Sequence, residues 1–257
     1  MSDPPATVVF MGDLAYMIRA DWAQQGTAMV PNSALIREWL GTPPYLFAVT
    51  DTKKFTPNGR GADVEAAEFI APPGTERLVF NMTDLAQIIE QDKTLDHAIV
   101  VLHPYKQQDL EVLGDAITRG RLCRVFVMIW SEREVIKTWL DAHGATELIT
   151  GASATPPDPL MLEAARMIVD EEYNGRGKDA VVQLVRAFQA NGYPADLDSW
   201  LRAYFAAGGT FHHAESITKL LTEMRKGVKH RVKEAYVDNV FELIQKREGE
   251  TELTGVR

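Results

Sequence analysis

The segment from Leu95 to Leu148, LDHAIVVLHPYKQQDLEVLGDAITRGRLCRVFVMIWSEREVIKTWLDAHGATEL, decides the fold. It contains two continuous apolar runs, at 98–102 and 125–130, and each run is followed by residues with helical spacing. A strand that is covered on both faces has no polar alternation, so both runs are typical of buried strands in a parallel sheet. The segment therefore predicts a βαβα unit.

The two helices of this unit have recognisable apolar stripes and ends. Leu110, Leu113 and Ile117 share one face of the first helix, because they recur at three and four residues. Ser131 with Glu134 three residues later has the pattern of a capping box, so the second helix is expected to begin at Ser131.

Three further strands are predicted upstream, at 7–11, 45–49 and 77–81, with helical spacing at 14–22 and after residue 83. Between the second and third strands, the stretch 51–74 is rich in proline and glycine and predicts a long surface connection. That connection is a candidate lid or partner-binding loop, and an irregular edge hairpin is an equal alternative. The fold class is therefore α/β, a doubly wound, mostly parallel, Rossmann-like sheet whose strand order the sequence does not specify.

The composition changes after residue 150. GASATPPDP at 151–159 is small and proline-rich, as expected of a linker. Every later segment has helical spacing, including a predicted final helix at 232–246 in which Tyr236, Val240, Leu243 and Ile244 are buried. The predicted organisation is a Rossmann-like domain at 1–150, a linker at 151–159 and an α-helical domain at 160–257.

Composition restricts the class of protein further. The chain has 257 residues and a net charge of −9, which argues against a general polyanion binder but leaves room for a local basic patch. One cysteine excludes disulfides within the chain. We find no secretion signal and no apolar run near the ~20 residues of a membrane span, so we expect a cytoplasmic protein without a membrane partner.

Three predicted strands are followed by a carboxylate, at Asp13, Asp51 and Asp84. Ligands of open α/β sheets bind at the carboxyl ends of the strands, so these side chains are candidates for a crevice that holds a divalent cation such as Mg²⁺. Asn81 and His103 are expected at the same edge, with His103 as a candidate general base. The alternatives are that the aspartates are helix N-caps and that His103 is structural.

The most unusual charge pattern lies in the helical half, at 219–233. Only Glu223 opposes six cations there, which favours an anionic partner. Residues 200–224 also have the outline of a helix-turn-helix. The alternatives are basic side chains that complement a helix C-terminus, and a basic patch that docks onto the chain's own acidic α/β domain or onto another protein. The candidate anion-binding or nucleic-acid-binding residues are Lys219, Arg225, Lys226, Lys229, Arg231 and Lys233.

These patterns lead to three hypotheses about function. The first is a non-enzymatic α/β domain that binds a small ligand or a protein, coupled to a helical domain whose basic segment engages a protein or nucleic acid. The second is a metal-dependent phosphate or nucleotide hydrolase that uses the three strand-end carboxylates. The third is a structural subunit that works only in an assembly. The oligomeric state and the catalytic residues are not specified by the sequence.

Overall fold

The computed structural model describes residues 13–56, 58–91, 93–173, 175–233 and 236–254. The chain forms two compact units that divide between Thr155 and Pro156. The first unit is a sheet covered by helices, and the second is built from helices. The predicted fold class, a doubly wound and mostly parallel α/β sheet followed by a helical region, is confirmed.

The sheet of the first unit has seven strands in the order β3-β2-β4-β5-β1-β6-β7. All neighbouring strands are parallel except the last pair, which is antiparallel. The strands are β1 (Asp13–Ile18), β2 (Tyr45–Val49), β3 (Arg77–Asn81), β4 (Ile99–Leu102), β5 (Arg124–Ile129), β6 (Thr146–Glu147) and β7 (Ala152–Ser153).

Helices connect these strands. They are α1 (Arg19–Trp22), α2 (Met29–Leu40), α3 (Ala62–Ile70), α4 (Met82–Glu90), α5 (Gln107–Thr118) and α6 (Val135–Ala142). Short 3-10 helices lie at Gln24–Gly26 and Thr52–Lys54.

The sheet buries a different set of side chains on each face, because successive residues of a strand point to opposite faces. On one face, Met17, Phe47 and Phe126 pack against Ile36 of α2 and Ile70 of α3. On the other face, the hydroxyl of Tyr16 donates a hydrogen bond of 3.0 Å to Asp141 of α6. Helices therefore leave successive strands toward both faces, which is the doubly wound arrangement.

The second unit consists of α7 (Pro159–Tyr173), α8 (Gly177–Ala190), α9 (Leu197–Ala206), α10 (Phe211–Arg225) and α11 (Val240–Thr254). An aromatic cluster lies at its centre. The ring of Phe188 on α8 is 5.2 Å from that of Trp200 on α9 and 5.0 Å from that of Phe241 on α11. Edge-to-face contacts of this kind add to the free energy of burial, so they join three helices around one core.

The predicted helix at 14–22 is wrong. Asp13–Ile18 is a central strand that pairs along its whole length with β5, and only Arg19–Trp22 is helical. Five consecutive apolar residues at 14–18 fit a strand that is covered on both faces, and the ladder with β5 outweighs the helical spacing. The strand predicted at 7–11 lies outside the described residues.

Three other expectations are also corrected. The stretch 51–74 contains α3, whose buried stripe includes alanines that carry little apolar signal. The second helix of the central unit begins at Val135 rather than at Ser131, and the Glu134 side chain accepts a bond from the Trp130 backbone N–H. The last helix begins at Val240 instead of 232, and Leu243 on it is exposed.

Candidate functional site

The carboxyl edge of the sheet brings together residues from five neighbouring strands. The register places Asn81 beside Val49, and Ile18 beside Ile129. His103 follows β4 and its backbone N–H donates to the Met128 carbonyl of β5 at 2.9 Å, which extends the ladder by one bond. Three topological switch points lie along this edge, since β2 and β1 lead to helices on one face while β3, β4 and β5 lead to helices on the other.

Asp51, Asn81 and Asp84 lie at this edge, as expected, but their polar atoms serve local caps. Asp51 accepts a hydrogen bond of 3.0 Å from the Lys53 backbone N–H. Asn81 and Asp84 form a reciprocal capping box at the start of α4, with distances of 2.9 and 3.1 Å. These contacts are those of the capping alternative, and they satisfy backbone N–H groups that a helix start leaves free.

Asp13 lies at the opposite edge, because it begins β1 rather than following a strand. Its Oδ2 atom is 2.6 Å from Nη2 of Arg124, the first residue of β5. The three carboxylates Asp13, Asp51 and Asp84 therefore do not converge, and the expected Mg²⁺ site formed by them is wrong. In the part of the chain that the structure describes, no group of three metal-ligating side chains is close enough to hold an ion. The hydrolase hypothesis loses the arrangement on which it depended.

His103 has an unusual backbone conformation. Its φ is 46°, and it is the only residue other than glycine with a positive φ among the described residues. Side chains other than glycine disfavour this left-handed region, at a cost on the order of 1–3 kcal/mol, and such residues cluster at functional sites. The end of β4 is therefore the point of the sheet where backbone strain and a polar ring coincide.

The imidazole of His103 contacts two exposed aromatic rings. Its centroid is 5.0 Å from that of Tyr105 and 4.9 Å from that of Trp130. Tyr105 and Trp130 remain 58% and 41% exposed, although both are large apolar side chains. Burial lowers the pKa of His103 to about 4, so the imidazole is neutral at pH 7.

Arg19 completes this group from the end of β1. Its guanidinium lies 4.4 Å from the ring centroid of Trp22 and 5.7 Å from that of Trp130. Nη2 pairs with Oε2 of Glu65 at 2.7 Å, whereas the buried Nε and Nη1 atoms have no hydrogen-bond partner among the described residues. The guanidinium therefore supplies a positive charge against the rings of Trp22 and Trp130.

Sequence reasoning identified only His103 of this group. The sequence does not indicate Arg19, because the helical spacing at 14–22 predicts a helix and so hides the strand end that places Arg19 at the edge. Trp130 belongs, in sequence, to the end of a buried apolar run. A tryptophan directly after a strand and before a helix cap was the available signal, since the strand end in such a sheet faces the ligand crevice.

A second cleft, of about 680 Å³, lies beside β1 and β6. Tyr16, Lys137 and Asp141 line it, and their polar groups bind one another: Asp141 accepts from Tyr16 at 3.0 Å and from Lys137 at 2.7 Å. Burial, and then the charge of Asp141, raise the pKa of Tyr16, so its phenol stays protonated. The network is satisfied internally, which is what a structural role requires.

The six cations of the basic segment are all exposed: Lys219, Arg225, Lys226, Lys229, Arg231 and Lys233. The first two lie on α10, and Lys226 follows it directly. The last three lie in a stretch without helix or strand, 228–233, which we call the basic strap. Within the described ranges, none of the six forms an ion pair.

The basic strap is held along α8 by its backbone. The Arg186 side chain donates to the His230 carbonyl at 2.9 Å, and the Gln183 side chain donates to the Lys233 carbonyl at 2.6 Å. Gln183 also accepts from the Tyr236 backbone N–H at 3.0 Å. Side chains of the helix thus replace the backbone partners that a helix or strand would provide.

The inner side of the strap carries different chemistry. His230 is 8% exposed at its side chain, and its Nε2 atom is 3.5 Å from Oε2 of Glu223. Glu223, the one acid of the segment, therefore faces His230.

Asp196 is an acid of the same unit outside the segment. The Ser199 backbone N–H mainly, and Arg225 to a smaller extent, lower the pKa of Asp196.

The helix-turn-helix outline corresponds to α9, a turn at 207–210, and α10. In that motif, base contacts come from the N-terminal part of the second helix. Here the cations lie toward the C-terminal end of α10 and beyond it, while Thr210 caps its N-terminus. The basic side chains and the base-contacting residues expected of such a motif therefore lie at different ends of α10.

Comparisons with models of protein families, with curated proteins and with solved structures give no significant match for this chain. In addition, none of the described helices has both the length and the apolar character needed to cross a membrane.

Proposed function

We propose that this chain is a binding protein whose helical unit engages the phosphate backbone of nucleic acid through the basic strap and the adjacent end of α10. The observation that carries this proposal is the alternation of exposure along the strap. Lys229, Arg231 and Lys233 are exposed, whereas His230 and Val232 are partly covered. A period of two is the signature of extended backbone, so the three cations share one side.

The charge balance supports an anionic partner. The six cations concentrate positive charge in a chain whose net charge is −9, and the single acid of the segment faces His230. The six exposed cations form no ion pair among the described residues, and a partner with many negative charges releases counterions when they bind it. An anionic partner of this kind explains why an acidic chain contains a cluster of six cations.

A regular polyanion fits the strap better than an acidic protein surface does. Alternate residues of extended backbone repeat every ~6.6 Å, so the alternating exposure at 229, 231 and 233 predicts a regular spacing of the three cations. Nucleic acid presents phosphates at regular intervals, whereas carboxylates on a folded protein are placed irregularly. Lysine and arginine contacts to phosphate set position without reading sequence, so we expect sequence-independent binding.

The test is a fluorescence-anisotropy titration with labelled single-stranded DNA, duplex DNA and single-stranded RNA. We expect binding that weakens by on the order of 10³-fold between about 50 and 200 mM salt if all six cations contact phosphates. The triple variant Lys229→Ala, Arg231→Ala, Lys233→Ala should reduce the slope of log K against log salt by about 0.7–0.9 per lost contact. The three oligonucleotides identify which nucleic acid is preferred.

A charge-matched control distinguishes the effect of the strap residues on binding from the effect of net charge. Lys53, Lys54 and Lys93 are exposed lysines of the α/β unit, and their triple alanine variant changes the net charge equally. The proposal requires that this control retain the parental salt slope. Absence of binding at low salt, or equal loss in both triple variants, would exclude a nucleic-acid surface on the strap and leave an acidic protein as its partner.

A further inference from the structure

The aromatic group at the carboxyl edge of the sheet lies in the other unit and is independent of the basic strap. It consists of His103, Tyr105, Trp130 and Arg19, which follow the neighbouring strands β4, β5 and β1. One switch point, between β5 and β1, lies within the group, and a second, between β2 and β4, lies beside it. Crevices at such points are where open α/β sheets bind ligands. We propose that this group is a binding site for a nucleotide, with the base stacked on Tyr105 or Trp130 and the phosphate directed to Arg19.

The exposed rings carry the part of the proposal that concerns the base. Trp130 is 41% exposed and Tyr105 is 58% exposed, and both rings contact one imidazole, so they form a cluster of aromatic rings rather than scattered apolar residues. Planar heteroaromatic rings stack on such side chains because every base has a π-face. An aliphatic ligand has no π-face, so it would gain no comparable stacking contact with these rings.

Arg19 carries the part that concerns the phosphate. Two of its guanidinium nitrogens have no hydrogen-bond partner among the described residues, and its one ion pair, to Glu65, has the carboxylate 45% exposed at its side chain. Both nitrogens are buried, so a phosphate oxygen reaches them only if the exposed Trp130 ring moves aside; the guanidinium then binds the phosphate through paired N–H bonds. The aromatic contacts with Trp22 and Trp130 hold the guanidinium in place.

His103 supplies a polar edge and a fixed position. Its left-handed backbone, with φ at 46°, turns the chain at the end of β4 so that Tyr105 lies beside the imidazole. A neutral imidazole offers one donor and one acceptor, which matches the mixed donors and acceptors of a base edge. Strain at a strand end, where a glycine would be relaxed, is consistent with a position selected for binding.

The test uses the full chain and measures intrinsic fluorescence and heat of binding during titration with ATP, GTP and NAD⁺. Trp130 is one of five tryptophans, so the parental protein is compared with Trp130→Phe to assign the signal. We expect saturable quenching by at least one nucleotide. Loss of a stacking ring in Trp130→Ala or Tyr105→Ala should weaken binding by about 5-fold to 150-fold.

Adenosine tests the aromatic part of the site that would bind the base, and inorganic pyrophosphate tests the Arg19 part that would bind the phosphate. If the proposal is right, both bind more weakly than ATP, and Arg19→Met reduces ATP affinity while it leaves adenosine affinity nearly unchanged. Leu78→Ala, which alters a residue 54% exposed on β3, is the matched control and should bind as the parental protein does. Circular dichroism verifies that each variant is folded.

Two results would overturn the proposal. Absence of saturable binding by all three nucleotides would exclude a nucleotide site at this edge. Binding that persists in Trp130→Phe, Trp130→Ala and Tyr105→Ala without change would place the nucleotide elsewhere. Neither result affects the nucleic-acid proposal, because that proposal is tested by the basic-strap variants in a different unit.

Discussion

The Nη2 atom of Arg124 lies 2.6 Å from Oδ2 of Asp13, and this ion pair joins the first residues of β5 and β1 at the amino edge of the sheet. The same guanidinium donates through Nη1 to the Trp39 carbonyl at 3.1 Å, near the end of α2. Arg124 therefore ties two strands to a helix, whereas Asp13 contributes one partner among several.

This asymmetry predicts unequal losses of stability. Asp13→Asn should lower the free energy of unfolding by no more than about 1 kcal/mol, because the pair is exposed and the amide retains an acceptor. Arg124→Met should cost about 1–3 kcal/mol, since it also removes the bond to the helix carbonyl. Urea denaturation of both variants measures the difference. Equal losses would show that the ion pair accounts for the whole contribution of Arg124.

The central βαβα unit was predictable from sequence because its strands are covered on both faces. The runs at 98–102 and 125–130 became β4 and β5 with shifts of one residue, since continuous apolar runs are unambiguous when helices follow them. The run at 14–18 has the same character, but its residues also recur at helical spacing, and only pairing with β5 decides between the two.

Much of the candidate site was not predictable, because it depends on which strands are neighbours. Asp13 and Asp84 look alike in sequence, as carboxylates next to an apolar run, yet they lie at opposite edges of the sheet. Likewise, nothing local indicates that Arg19 and Trp130 approach each other, since they are brought together by the parallel register of β1 and β5. The left-handed backbone of His103 has no sequence signal beyond the tolerance of histidine for that region.

Close packing between α9 and the following turn gives a second prediction. A Cβ atom at Gly209 would collide with Cε1 of Tyr204, whose hydroxyl donates to Glu172 at 2.8 Å. Gly209→Ala should therefore lower the free energy of unfolding by about 1–3 kcal/mol through overpacking.

A double-mutant cycle tests the cause of that loss. In a Tyr204→Leu background, the cost of Gly209→Ala should shrink, because the ring that it collides with is absent. Gly120→Ala is the control, since Gly120 has a φ of +64° and open space around its Cβ position, so its cost is one of backbone strain alone. Strictly additive losses for Gly209 and Tyr204 would rule out the collision as the mechanism.

The protonation of His103 gives a prediction about pH. Burial lowers its pKa from 6.5 to about 4, so as the pH falls the unfolded chain binds a proton before the folded chain does. The free energy of unfolding should therefore decrease between pH 6.5 and about 4 through this group, and its contribution is fully present only above pH 6.5. His103→Asn removes the titration while keeping a residue that tolerates a positive φ.

The measurement is the free energy of unfolding of the parental protein and of His103→Asn across this pH range, by urea denaturation at each pH. Other groups titrate in both proteins, including His143, whose pKa burial also lowers, so only the difference between the two curves reports on His103. We expect this difference to change steadily below pH 6.5, with the variant less sensitive to acid, because its folded and unfolded states bind the same number of protons at this position. Parallel curves would mean that His103 titrates equally in both states, and thus that its imidazole is solvated rather than enclosed by Tyr105 and Trp130.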